Sequence, residues 1–158
     1  MYLLDTNHCI LILEGFPEVV KKQSEIGAHN LCICDIIQGE LLFGARNSKY
    51  KKDNLKVVND FLADISKIYF TDELTVEIYA ELKAKIYAYF APKPLEKRKK
   101  VKLHELGFDE NDLWIAAHAL RNNLILVTAD SDFNRMNEAP EISIPYECWK
   151  IKAPAISS

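Results

Sequence analysis

Apolar residues along this chain fall into two kinds of segment. Short, almost continuously apolar runs occur at Tyr2 to Leu4, Leu31 to Cys34, Ile68 to Phe70 and Leu124 to Val127, with a weaker one near Ile142 to Ile144. Their length and composition predict strands. Between most of them lie longer amphipathic segments that open on helix-start signals. These signals are Pro17 and Glu18 after Gly15, Asp35 with Gln38 three residues on, Thr71 before Asp72 and Glu73, and Asp109 with Asp112 three residues on. They predict helices near residues 17 to 26, 35 to 45, 51 to 64, 72 to 90 and 109 to 121. Strands separated by helices predict an α/β domain with a mainly parallel sheet. In such a sheet, chemistry gathers in the crevice beyond the carboxyl ends of the strands.

A length of 158 residues with 49% hydrophobic content fits one core. The expected organisation is one domain over residues 1 to 150 and a C-terminal tail over 151 to 158. No stretch approaches the roughly 20 apolar residues of a membrane helix, and the N-terminus lacks the basic lead and apolar core of a secretory signal. The expectation is a cytoplasmic protein without membrane contact. The four cysteines include no C-x-x-C pair and the four histidines show no ligand spacing, which disfavours a zinc centre. A net charge of -3 does not by itself suggest a nucleic-acid binder. The average conceals a basic run, however: "KPLEKRKKVKLHE" carries Lys93, Lys97, Arg98, Lys99, Lys100 and Lys102 within a segment around residues 91 to 106. Lys97, Arg98, Lys99 and Lys100 are candidate RNA contacts, against the alternative of a solvated loop.

The acidic residues stand at informative places. Asp5 ends the first apolar run, and "LILVTADSDF" repeats that arrangement with Asp130 and Asp132 after Val127. Each could be no more than a helix cap or turn former. Glu40 in "DIIQGELLFGA" falls at helical spacing on the apolar face, flanked by Ile37 and Phe43, with Gly39 and Gly44 reducing bulk beside it. A glutamate there needs a partner. "NDLWIAAHAL" is apolar almost all round, which predicts an interior helix whose first turn carries Asn111 and Asp112; His118 on it reads as packed or hydrogen-bonded rather than as a base. If Asp5, Glu40, Asp112 and Asp130 or Asp132 converge, protonation or a bound cation must relieve their repulsion. Carboxylates without His or Cys suit Mg²⁺ or Mn²⁺, and the matching reaction is metal-assisted phosphodiester hydrolysis. A DxDxT phosphatase is disfavoured because "DTN" lacks the second Asp, and no P-loop motif occurs.

"LLDTNHCI", "GELLFGA", "NDLWIAAHAL" and "LVTADSDF", in this order and with "YECW" near the end, closely resemble the PIN-domain ribonucleases, in particular the VapC toxins of bacterial type II toxin-antitoxin pairs. The resemblance implies a PIN-like three-layer α/β/α domain and a Mg²⁺- or Mn²⁺-dependent endoribonuclease with Asp5, Glu40 and Asp112 in its acidic site. The fourth acid is Asp130 or Asp132. It further implies an RNA substrate, transfer RNA being a frequent family target, a homodimer, and a cognate VapB-type antitoxin. The alternative is a PIN-like module that binds RNA or protein without cleaving. The basic segment at 91 to 106 is longer than the family pattern leads one to expect, so its role is not inherited from the resemblance.

Overall fold

The computed structural model describes residues 1–150; the tail expected over 151 to 158 lies outside them. Five strands form one sheet: β1 (Tyr2–Leu4), β2 (Leu31–Cys34), β3 (Lys67–Tyr69), β4 (Ile125–Val127) and β5 (Tyr146–Glu147), in the order β3-β2-β1-β4-β5. Every pairing is parallel, with Leu3 opposite both Cys32 and Leu126. The central strands are buried on both faces, as continuous runs such as "LCIC" require.

Eight helices complete an α/β/α arrangement among the described residues: α1 (Thr6–Leu13), α2 (Pro17–Ile26), α3 (Asp35–Arg46), α4 (Lys51–Asp64), α5 (Glu73–Phe90), α6 (Leu95–Arg98), α7 (Glu110–Arg121) and α8 (Ser131–Met136). From β1 the chain moves through β2 to β3 on one side, then returns across the sheet to β4 and β5. Right-handed crossovers therefore put α1 to α4 on one face and α5 to α8 on the other. The reversal lies between the adjacent strands β1 and β4, and their carboxyl ends open the crevice.

The expected helices at 17 to 26 and 51 to 64 match, and the other three agree within a residue. Three short helices, α1, α6 and α8, were not placed by periodicity; α1 and α8 each start on an Asp that caps them, Asp5 and Asp130, and α6 is a single turn after Pro94. The strand expected near Ile142 to Ile144 does not form. There Asn137 takes both polar groups of Ile144, Nδ2 donating to its carbonyl at 2.9 Å and Oδ1 accepting from its amide at 2.7 Å. Ile142 and Ile144 are buried as anchors of an irregular segment, and pairing begins only at Tyr146. The start signals at Asp35 and Asp109 also work differently from a capping box. Cys34 is the cap position of α3, and Asp35 instead accepts from the Thr71 amide at 2.9 Å. Asp109 caps α7 through the Asn111 amide at 2.7 Å, which leaves Asp112 uncommitted.

The α7 helix is interior because Leu113, Ile115, Ala116, Ala117 and Ala119 are all buried, and its small residues allow close approach of neighbouring elements. It lies along α5, where Tyr79 and Trp114 stack with ring centroids 3.7 Å apart. His118, fully buried on α7, has Nε2 at 3.0 Å from Asp35 and 3.2 Å from Thr71, so it is a packed, hydrogen-bonded histidine that ties β2 and β3 to α7. Because α7 runs into the start of β4, its N-terminal turn is carried to the end of the sheet where β1 and β4 finish.

Candidate active site

A cleft of about 370 Å³ opens at that end, lined by Asp5, Glu40, Asp109, Asp112 and Asp130 with Thr6, Asn7 and Asn111. Four of the five acids singled out from the sequence thus line one cleft, although they come from the ends of β1 and β4, the second turn of α3 and the first turn of α7. Asp132, in the first turn of α8, does not line it but lies close enough to influence Asp112.

Each acid is held by its local structure. The Asp5 amide donates to the Val127 carbonyl at 3.0 Å, joining the two strand ends, and its Oδ1 caps α1 by accepting from the His8 amide at 2.6 Å. Asp130 accepts from the Asp132 amide at 2.9 Å, while its own amide donates to the Thr128 hydroxyl at 3.0 Å. Glu40 is half-buried and partnered: Asn111 Nδ2 donates to Oε1 at 2.7 Å and the Thr6 hydroxyl donates to Oε2. The buried stripe of α3 is Ile37, Leu41 and Ala45, so Glu40 borders that stripe. Phe43, expected to flank it on the apolar face, is 68% exposed. Thr6, Asn7, Asn111 and Asp109 were not among the expected site residues. Thr6 and Asn7 directly follow Asp5, and Asn111 directly precedes Asp112.

Asp112 has no hydrogen-bond partner among the described residues and is half-buried. Burial first, then the negative charges of Asp130, Asp109, Asp132 and Glu40, push its pKa from 3.8 up to about 7. Burial also raises that of Asp132, with Asp130 adding to the effect. The carboxylates surround an open space and are not drawn together: among the described residues, the three-residue group whose ligand atoms lie within 4.8 Å of one another is Cys34, Asp35 and His118, away from the cleft. That group is a structural junction, because His118 Nε2 is already engaged by Asp35 and Thr71, and burial pushes the Cys34 thiol up to about 12. An acidic cleft with one uncommitted, hard-to-ionise carboxylate is the donor set that fits a hard divalent cation with bound waters.

A second groove of about 480 Å³ runs between α1, α3 and α4 and shares Thr6 and Glu40 with the cleft; Ile10, Leu13, Leu41 and Val57 make it largely apolar. The basic segment precedes α7. Its α6 turn is exposed except for Arg98, which is half-buried and donates to the carbonyls of Pro92 and Lys93 at 3.4 and 3.3 Å. Lys97, Lys99 and Lys100 project freely from it.

The PIN domain family model matches residues 2–139. Ribonuclease VapC2 of Haemophilus influenzae is 34% identical over 149 residues, covering 94% of this chain and 97% of the relative. The tRNA(fMet)-specific endonuclease VapC of Shigella flexneri is 26% identical over 137 residues, covering 85% and 91%. Among solved structures, VapBC2 from Rickettsia felis bound to a DNA fragment from its promoter superposes with a TM-score of 0.70 at 26% identity, covering 94% of this chain and 98% of that one. The family match runs through every acid-bearing segment of the cleft and the relatives are spanned nearly end to end, so this chain belongs to the PIN-domain family, within its VapC group.

Proposed function

We propose that this protein is a divalent-metal-dependent endoribonuclease that hydrolyses RNA phosphodiester bonds and serves as the toxin of a type II toxin-antitoxin pair. The observation that carries this reading is the convergence of Asp5, Glu40, Asp112 and Asp130 on one cleft, with Asp112 held at about 7 by burial and its neighbours. Such a site is strained without a cation and suited to Mg²⁺ or Mn²⁺. Asp5, Asp112 and Asp130 are the proposed principal ligands, and Glu40 and Asp132 complete the negative field. When bound, a divalent ion lowers the pKa of an attacking water and shields charge developing on the phosphate. Thr6 and Asn111 hold the Glu40 carboxylate in place at the cleft wall.

The substrate follows from the same charges. A cleft this acidic repels a polyanion unless cations nearby gather the phosphates, and Lys97, Lys99 and Lys100 stand on the segment that leads into Asp109 and α7. Arg98, curled onto its own loop, shapes that segment. Phosphate contacts of this kind set affinity rather than sequence choice. Transfer RNA is the first substrate class to test, given the name of the Shigella relative.

Two partners are part of the proposal. The apolar groove adjoining the cleft suits a segment of a VapB-type antitoxin, with an Arg or Lys reaching the carboxylates. Exposed Phe70, Leu74 and Val76, at 67%, 49% and 46%, offer apolar area for a homodimer. Induced expression in bacteria tests the toxin role: growth should stop with the wild type, continue with Asp5→Asn, and be restored by co-expressing the product of the adjacent gene. Growth arrest by Asp5→Asn equal to that of the wild type would contradict the reading.

A further inference from the structure

We propose that His8 is a positioning residue for the acidic site, fixing the Asp5 carboxylate so that a single oxygen, Oδ2, is presented to the cleft. This inference rests on reading the cleft as a metal site. Two donors converge on the other oxygen. The His8 amide donates to Asp5 Oδ1 at 2.6 Å, and the His8 ring places Nδ1 at 2.9 Å from the same atom. Any residue except proline at position 8 would supply the first of these, since it is the helix cap itself. The second needs a side-chain donor within the first turn of the helix, and imidazole supplies it.

The ring has little freedom to turn away. His8 is fully buried and meets Trp149 edge-on, with centroids 6.4 Å apart and planes at 90°. Trp149 is buried too and is anchored through its indole N–H, which donates to Glu147 at 3.2 Å. His8 Nε2 is buried without a partner. The proton therefore belongs on Nδ1, where Asp5 accepts it. Oδ1 is occupied by two converging donors, and Asp5 lines the cleft with Oδ2 left unengaged among the described residues. A carboxylate pinned in this way cannot rotate to exchange its oxygens. A ligand of fixed orientation and one free oxygen suits small, geometrically demanding cations such as Mg²⁺ and Mn²⁺. Orienting groups behind a ligand commonly control metal affinity.

The test is calorimetric titration of the metal-free full chain with Mn²⁺ alone, comparing the wild type with His8→Phe and His8→Asn. Phenylalanine keeps an aromatic ring beside Trp149 and removes the donor, whereas asparagine gives up the ring but its Nδ2 stands close to where imidazole Nδ1 was. His8→Phe should bind Mn²⁺ about tenfold more weakly, and His8→Asn should recover most of that loss. Should His8→Phe not fold, His8→Leu takes its place. Unchanged Mn²⁺ affinity in the donorless variant, or His8→Asn binding as weakly as His8→Phe, would overturn the role of His8. Absence of Mn²⁺ binding by the wild type would overturn the metal-site reading and the proposal with it.

Discussion

Replacing Asp112 with Asn should stabilise the metal-free protein while abolishing its activity. Asp112 is the cleft acid whose ionisation costs most, with a pKa raised from 3.8 to about 7 by burial and by four neighbouring carboxylates. At ~1.4 kcal/mol per pH unit that interval corresponds to ~4 kcal/mol. Water reaches this half-buried group and screens it, so about half, ~2 kcal/mol, is the amount to expect. The sign follows from proton binding. The unfolded chain releases this proton near 3.8 and the native protein holds it to about 7, so between those values the native state binds more protons and stability falls as pH rises. Above about 7 the penalty is complete. Asn keeps the shape and never ionises, so the gap between variant and wild type should be near zero at about pH 4 and reach ~2 kcal/mol by about pH 8. For a domain of this size that is a melting-temperature increase of roughly 4–8 °C. Urea denaturation followed by circular dichroism, with chelator present throughout, measures it. A variant no more stable than the wild type at the higher pH, or a gap that stays constant with pH, would refute the reasoning.

Glu40→Gln and Asp130→Asn should each lower RNA cleavage by orders of magnitude with the fold retained, as judged by initial rates beside unchanged circular dichroism. Replacing Lys97, Arg98, Lys99 and Lys100 with Gln should weaken RNA binding and flatten its salt dependence, by roughly 0.7 in the log-log slope for each phosphate that the variant no longer neutralises. Single-turnover cleavage at saturating RNA should be little affected; an unchanged salt slope would mark the segment as a solvated loop. Sedimentation should give a dimer for the wild type, and Phe70→Glu with Leu74→Lys should shift it to monomer if that face is the interface.

The alternation of strand and helix was readable because the sheet is parallel: its strands are apolar on both faces and its helices are long enough to show a period. What periodicity could not supply were elements of about two turns or fewer, and segments shaped by distant partners. Ile142 to Ile144 looks like a strand by composition, yet Asn137 captures the backbone groups that a strand would use. In the same way, Asp35 sits where a cap is expected, but Thr71 and His118, far along the chain, claim its carboxylate. The acids of the cleft were legible because charge at a strand end or beside a buried stripe is costly without a purpose. Asn111 and Thr6 were not, since an amide and a hydroxyl near a helix start are ordinary, and only the fold reveals that both hold Glu40.

Cleavage of an end-labelled RNA by the purified protein tests the central claim most directly. The wild type should cut in Mg²⁺ or Mn²⁺, stop when the ion is chelated, and resume when it is restored, while Asp5→Asn and Asp112→Asn stay inactive under all three conditions. Cleavage that persists in chelator, or that survives in both variants, would contradict the assignment of the acidic cleft as a metal-dependent nuclease site.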